Sequence, residues 1–174
     1  MKQLTKIILP VLALLLSSPL MAKSSDAEQA MYIEADSVEI REQEGISIYK
    51  GNVIIKRGST LIKGQLIHIY QIDNVIDRIK AEGNPASFKQ LNDQDQEILA
   101  QCLDMEYQNS EGILILKQEA LLVQHNNRFT SEHIVYNTRK DIVQAGSESP
   151  DGKPGKQRVT ITIQPEPDKQ SEQP

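Results

Sequence analysis

The sequence predicts an all-β protein whose antiparallel sheet folds over on itself, as in a jelly roll or a curved sandwich. Three observations support this prediction. Apolar residues alternate with polar ones over many short stretches, and Gly, Asn and Pro separate these stretches. β-Branched residues dominate, and no window of a dozen residues shows a clean helical period. One short motif occurs four times along the chain.

The first 22 residues have the layout of a secretory signal peptide. Lys2 and Lys6 precede an almost wholly apolar run, and a cleavage-like region ends at Ala22. The apolar stretch falls short of the ~20 residues that span a bilayer. An uncleaved membrane anchor is the alternative, because Leu20 is a poor residue three positions before the cut. We therefore expect the mature chain to work outside the cytoplasm.

The charge argues against a nucleic-acid-binding protein, and the cysteine content excludes a protein stabilised by intramolecular disulfides. The formal net charge is −5 at pH 7, and an acidic surface disfavours nucleic acid, which needs clustered Lys and Arg. Cys102 is the only cysteine of the chain, so no intramolecular disulfide can form. Stability must therefore come from the packing of one domain, which we expect to cover residues 23–164.

The repeated motif places a small residue and then a polar residue in the middle of an alternating stretch. The polar position is Asp36, Gln65, Gln101 and Glu132 in the four copies. An apolar residue stands three positions before it, and others follow two and four positions after it. A strand can bend at such a site while the polar group satisfies freed backbone donors. Bends at the same height would turn every strand through a common corner.

The sequence predicts the turns between strands. Hairpin turns are predicted at residues 58–59 and 126–127, and longer connections at 83–85 and 92–95, because these segments are rich in Gly, Asn and Pro. A last strand is predicted at 158–163, where alternation is clean.

The two ends of the mature chain carry no strand signal. Residues 23–30 are polar, and we expect them to be loose. Residues 165–174 follow the last strand and begin with proline, so we expect a disordered tail.

No pattern for catalysis or metal binding is evident. His68, His125 and His133 lack metal-ligand spacing, and Cys102 stands alone. The polar position of the motif is an acid in two copies and glutamine in the others, whereas an acid catalyst could not be exchanged for glutamine. A nucleophile elbow and a Gly-rich phosphate loop are both missing from the sequence. We therefore expect a protein that is not an enzyme and uses no metal or cofactor.

The phase of the alternation predicts one continuous apolar face. The closed core of any β-sandwich would explain it, but the chain has no Trp and only two Phe residues, so an Ile-rich face could form a smooth aliphatic channel. Each buried methylene contributes ~0.8 kcal/mol, so ten carbons of an acyl chain would give roughly 8 kcal/mol. The predicted lining is Ile33, Val38, Ile40, Ile48, Val53, Ile55, Ile62, Ile67, Ile69, Phe88, Leu103, Met105, Tyr107, Ile113, Ile115, Phe129, Ile134 and Tyr136.

Several motifs together resemble the LptA (OstA-like) family of periplasmic lipopolysaccharide-transport proteins. They are Ile-Glu-Ala-Asp at 33–36, Tyr-Lys-Gly-Asn-Val at 49–53, Gly-Asn-Pro-Ala-Ser-Phe at 83–88 and Lys-Gln-Arg-Val-Thr at 156–160, after a signal peptide. The resemblance covers roughly residues 31–165.

The resemblance implies a β-jelly roll of about sixteen strands in the periplasm, open at both ends, whose protomers stack end to end. The interior would carry the lipid A acyl chains of lipopolysaccharide, which makes the predicted lining a lipid-binding site. The implied partners are lipopolysaccharide, LptC-like and LptD-like jelly-roll domains and other copies of the chain, with no nucleic acid and no cofactor.

The first and last strands are predicted to be unpaired edges onto which another chain can add. The expected interface residues are Met31, Tyr32, Ile33, Val159, Ile161 and Ile163. Two alternatives remain open: a membrane-anchored, LptC-like relative of the same fold, and a structural β-sandwich with a closed core and no ligand.

Overall fold

Ten β-strands form the structure, a computed structural model that describes residues 26–146 and 158–164. Four strands are short: β1 (Met31–Glu34), β2 (Ser37–Arg41), β9 (Ile142–Ala145) and β10 (Thr160–Thr162). Six are long: β3 (Ile46–Arg57), β4 (Thr60–Ile72), β5 (Val75–Leu91), β6 (Glu97–Gln108), β7 (Ile113–Gln124) and β8 (Asn127–Asn137). Two 3-10 turns are present: the N-terminal turn (Asp26–Glu28) and a second at Glu42–Glu44.

Two predictions concern parts of the chain outside this range. The signal peptide at residues 1–22 and the disordered tail at residues 165–174 lie outside the described residues. Within the described residues, no helix is long and apolar enough to cross a membrane.

All ten strands belong to one antiparallel sheet that does not close. Strands β3 to β8 pair consecutively, β1 and β2 both pair with β3, and β9 and β10 both pair with β8. Among the described residues, β1 and β2 therefore form one edge and β9 and β10 the other. The all-β class and the exposed first and last strands are confirmed.

Of the four predicted turns, two are confirmed and two are corrected. The turn at 58–59 joins β3 to β4, and the loop at 92–95 lies between β5 and β6. The second hairpin turn is shifted by one residue, since His125 and Asn126 have positive φ and β8 starts at Asn127. Residues 83–85 are not a connection but lie inside β5, where they form its bend.

The bends of the long strands lie at one common height. The pairing register shifts at Lys63/Leu66 between β4 and β5, and corresponding shifts occur in every pairing from β3 to β8. Gln65, Gln101 and Glu132 lie within or next to these shifts, and Asp36 lies between β1 and β2. The predicted position of the bend is therefore confirmed in all four copies of the motif.

The bend of β3 shows how a polar side chain supports this corner. Gly51 and Asn52 both have positive φ, and the Asn52 amide donates a hydrogen bond to Asp36 Oδ2 at 3.0 Å. The backbone N–H of Asp36 donates to the carbonyl oxygens of Lys50 and Gly51, each at 3.1 Å. The Asp36 carboxylate thus accepts from a side-chain amide, whereas the sequence had suggested a backbone donor.

The common corner divides the sheet into two layers that face each other. Layer A contains β1, β10 and the strand halves next to them, and layer B contains β2, β9 and the other halves. The ring centroids of Phe88 in layer A and Tyr107 in layer B lie 5.5 Å apart, so the core lies between the layers. Layer A comprises residues 31–34, 53–64, 86–102, 120–131 and 160–162, and layer B comprises 37–50, 66–82, 104–117 and 133–145.

The number of strands differs from the expectation of about sixteen. Residues 26–146 and 158–164 contain ten, because each long strand passes through its bend as one element. A register shift displaces the pairing locally but does not end the ladder on either side.

Candidate functional site

Among the described residues, the space between the two layers holds a single apolar cluster. Phe88, Ile67 and Leu114 are among its least exposed side chains, and members from both layers belong to it. Ile33 and Phe129 are partly buried and pack against the cluster. The predicted lining residues that the structure buries here are Val53, Ile55, Ile62, Ile67, Ile69, Phe88, Met105, Tyr107, Ile134 and Tyr136.

The predicted inward phase is wrong for Ile48, Ile113 and Ile115. Leu114 and Leu116 are each fully buried, which places Ile113 and Ile115 on the outer face of layer B. In β4, His68 lies between the buried Ile67 and Ile69 and therefore faces outwards. Ile48 pairs directly with His68, so Ile48 also faces outwards.

A difference between two kinds of bend explains this error. In β4 the inward positions on either side of the bend are five apart, Ile62 and Ile67, as the motif predicts. In β7 they are four apart, Leu116 and Ala120, because Gln118 and Glu119 both have positive φ. The bend of β3 has the same construction. The alternation therefore keeps its phase through β3 and β7 but changes phase through the motif strands.

Leu103 is the fourth predicted lining residue that does not face the core. It is half-buried at the bend of β6, while Cys102 and Met105 on either side are buried. The Cys102 thiol donates to the Asp104 carbonyl oxygen at 3.1 Å. Burial raises the pKa of Cys102 to about 12, so this thiol is a core residue and not a reactive one.

Sequence reasoning missed about half of the core. The alternation of β7 could have revealed Leu122, but the run of three apolar residues at 121–123 hid its phase. The alanines of the core were missed because a small residue contributes little to the alternating hydrophobic pattern. The missed members are Ile79, Ala81, Ala86, Ile98, Ala100, Cys102, Leu114, Leu116, Ala120 and Leu122.

The apolar interior continues to one open edge at β2. Val38 pairs with Tyr49, which packs against the core, and Ile40 pairs with Ser47, so both lie on the inner face. Their exposed fractions are nevertheless 56% and 60%. This edge thus presents inner-face apolar side chains to solvent.

The opposite edge at β10 has the same character. Ile161 pairs with Phe129 on the inner face and is 52% exposed, and Ile163 is 75% exposed. Of the other predicted interface residues, Tyr32 is largely exposed, while Met31, Ile33 and Val159 are half-buried.

A cavity of about 300 Å³ lies where the tips of the two layers meet, on the side away from the bends. Its apolar part is formed by core residues, including Ile55 and Ile62 of layer A and Tyr107 of layer B. Its polar part includes Arg57 in layer A and Arg139 beyond the end of β8. The apolar core therefore reaches the surface at a third place besides the two sheet edges.

The N-terminal turn is anchored beside this cavity by Asp26. Its carboxylate accepts hydrogen bonds from Ser59 Oγ at 2.6 Å, from the Ser59 backbone N–H at 2.9 Å and from Thr60 Oγ1 at 2.8 Å. Partial burial alone would raise the pKa of Asp26, but these bonds and one from Gln90 outweigh burial and lower the pKa below the usual value. Residues 26–28 are thus held in place, although the sequence suggested a loose segment.

A polar contact at Asp141 joins the tips of the two layers. The Tyr136 hydroxyl donates to Asp141 Oδ1 at 2.7 Å, and the Gln124 amide donates to the same oxygen. Gln124 belongs to layer A and Asp141 to layer B, so this side-chain contact links the layers. Burial, together with the hydrogen bond to Asp141, raises the pKa of Tyr136 above its usual value.

The described residues contain no group of three or more His, Cys, Asp or Glu side chains that could hold a metal ion. The arrangement that remains is an apolar interior with solvent-facing openings.

Comparisons with known proteins identify relatives of this chain. Lipopolysaccharide export system protein LptH of Pseudomonas aeruginosa is 32% identical over 155 residues, covering 86% of this chain and 87% of that protein. Lipopolysaccharide export system protein LptA of Escherichia coli K12 is 26% identical over 152 residues, covering 84% of this chain and 78% of that protein. Both relatives are named as proteins of a lipopolysaccharide export system.

Structure and family comparisons agree with these relatives. A crystal structure of LptH, described as the LptA-homologous periplasmic component of the lipopolysaccharide transport device of P. aeruginosa, matches with a TM-score of 0.74. The match has 30% sequence identity and covers 82% of this chain and 100% of that chain. The model of the family LptA/(LptD N-terminal domain) LPS transport protein matches residues 32–142. The chain therefore belongs to the LptA/LptD N-terminal domain family of lipopolysaccharide transport proteins.

Proposed function

We propose that this protein is a periplasmic carrier that holds the lipid A acyl chains of lipopolysaccharide between its two layers. Copies of it stack end to end and bridge the inner-membrane and outer-membrane transport complexes. The observation that carries this proposal is an apolar interior that reaches solvent at both edges of an unclosed sheet, at Val38 and Ile40 and at Ile161. Family membership supports lipopolysaccharide as the cargo.

The interior has the chemistry that acyl chains require. Its side chains are predominantly Ile, Leu, Val and Ala, and the strands pass from one layer to the other along one side, at the bends. At ~0.8 kcal/mol per methylene, ten buried carbons of one chain contribute about 8 kcal/mol. In the proposed lining, Leu114 and Leu116 take the place first given to Ile113 and Ile115. The remaining inward members of the predicted lining keep their proposed role.

The edges support end-to-end stacking. β1, β2 and β10 each have a strand partner on one side only among the described residues, so their free backbone groups can pair with a neighbouring chain. β1 and β10 both lie in layer A, and β2 and β9 both lie in layer B. Continuation of the sheet from one edge to the other would therefore also join the inner faces, on which Val38 and Ile161 lie. The same edges would accept LptC-like and LptD-like jelly-roll domains as partners.

Photocrosslinking in cells tests the cargo and its location together. A benzoylphenylalanine replacing Phe88 or Met105, each 1% exposed, should capture lipopolysaccharide. The same residue replacing Glu39 should not, because Glu39 pairs with the outward Ile48. Equal capture at inner and outer positions would contradict the proposal.

A further inference from the structure

The structure assigns a role to the cavity between the layer tips: we propose that it is a side entrance for a single acyl chain, and that Asp26 holds it closed. This inference rests on the proposed function, since it concerns how the same interior is filled. It adds a lateral route to the two edges of the sheet and gives the N-terminal turn a regulatory part.

The size of the cavity suits part of one chain. At about 300 Å³ it lies at the lower end of the range of ~300–1,000 Å³ that small-molecule sites occupy. It could not hold a whole lipid A, which carries several chains. An entrance that admits chains one at a time fits this volume, and a storage site does not.

The lining of the cavity defines the class of ligand. Ile55, Ile62, Ile79 and Tyr107 line it and also belong to the buried apolar cluster, so the cavity is continuous with the interior. The lining also includes the carboxylate of Asp93 and the guanidinium groups of Arg57 and Arg139, which give the rim mixed charge. The apolar part therefore selects an acyl chain, and the polar rim leaves the headgroup in water.

The N-terminal turn is placed to close this entrance. Asp26 and Met31 both line the cavity, so the turn and the start of β1 form part of its wall. The hydrogen bonds of the Asp26 carboxylate go to Ser59, Thr60 and Gln90, all in layer A. Breaking them would free the carboxylate end of the turn without unpairing any strand, while the Gln29 carbonyl oxygen still accepts from Arg57 Nε at 3.1 Å. The closure can therefore open while the sheet stays intact.

The turn at 57–60 is shaped to receive this carboxylate. Gly58 has φ +59°, and a Cβ at this position would lie 2.2 Å from Asp26 Oδ1. A side chain there would displace Asp26, so the contact depends on a glycine in a left-handed conformation. The Ser59 hydroxyl accepts in turn from the Leu91 backbone N–H at 3.1 Å, which ties the latch to the rim at the end of β5.

Two matched leucines test the route. Leu91 lines the cavity and is 36% exposed, whereas Leu99 is 38% exposed and does not line it. Benzoylphenylalanine at Leu91 of the full chain should capture purified lipopolysaccharide during loading, and at Leu99 it should give background. Capture at Phe88 with only background at Leu91 overturns the entrance and leaves the carrier function standing. Background at both Phe88 and Leu91 overturns the carrier function as well.

The latch is tested by the rate of loading. Asp26→Ala removes the acceptor of hydrogen bonds to a charged group, and we expect capture at Leu91 to become about tenfold faster or more. Glu28→Ala, an exposed carboxylate of the same turn, should leave the rate unchanged. Thr60→Val removes one donor and should give a smaller acceleration. A lower melting temperature of Asp26→Ala with no faster capture would show a purely structural role and overturn the latch.

Discussion

At the scale of single residues, glycines and carboxylates fix the places where strands turn. Gly51 has φ +79°, and a Cβ there would lie 2.1 Å from Asp36 Oδ2. The sequence predicted Asp36 as a bend residue, and the structure brings it into contact with Gly51 at the bend of β3. The contact joins the first copy of the motif to the bend of β3.

Replacing Gly51 should therefore be costly for two separable reasons. Gly51→Ala combines a left-handed conformation with a clash, and we expect it to lower the free energy of unfolding by about 2–4 kcal/mol. The double variant Gly51→Ala/Asp36→Ala removes the clashing carboxylate and should recover part of that loss. Urea unfolding measures both values. Identical losses in the two variants would assign the whole cost to backbone conformation.

Asp26 makes stability depend on pH in a defined direction. Its folded pKa lies below the ordinary value of 3.8, so the folded state favours the ionised carboxylate. The resulting stabilisation is present above pH ~4 and is lost as the pH falls through the lower folded pKa. Acid unfolding of Asp26→Asn should lack this contribution, and Glu28→Gln should retain it. The same acid midpoint for Asp26→Asn and the parent protein would contradict the lowered pKa.

At the scale of elements, the two kinds of bend decide which side chains enter the core. Alternation on each side of a bend was readable from the sequence, and so was the position of the four motif bends. The phase of β7 was not readable, because Gln118 and Glu119 adopt positive φ without being Gly or Asn. The same limit applies to the N-terminal turn, since nothing in a polar segment shows that Asp26 will meet Ser59 and Thr60.

The phase of β7 gives a sharp comparison within one strand. Leu114→Ala empties a fully buried position and should cost about 2–5 kcal/mol, whereas Ile115→Ala on the outer face should cost much less. The two substitutions lie next to each other and remove side chains of similar size, so each is a control for the other. Chemical denaturation gives both values. A larger loss for Ile115→Ala would reverse the assigned phase.

At the scale of the whole molecule, the sheet is an open roll whose two edges differ in sequence. One edge carries β1 and β2, and the other carries β9 and β10. A contact between unlike edges is heterologous, so it adds further copies in one direction instead of stopping at a symmetric dimer. The family resemblance suggested stacking. Val38 and Ile161 mark the two edges of the sheet that would meet in such a stack.

Blocking each edge separately tests this arrangement. Val38→Lys and Ile161→Lys each place a charge on an exposed inner-face position of one edge, and neither position is buried in the monomer. Each variant alone should therefore be a folded monomer on a sizing column, as should a chain that lacks residues 158–174. An equimolar mixture of the two point variants should form dimers and nothing larger, because one intact edge of each kind remains and the two intact edges are complementary. Long oligomers from either single variant, or a mixture that stays monomeric, would contradict head-to-tail stacking of the edge that carries β1 and β2 onto the edge that carries β9 and β10.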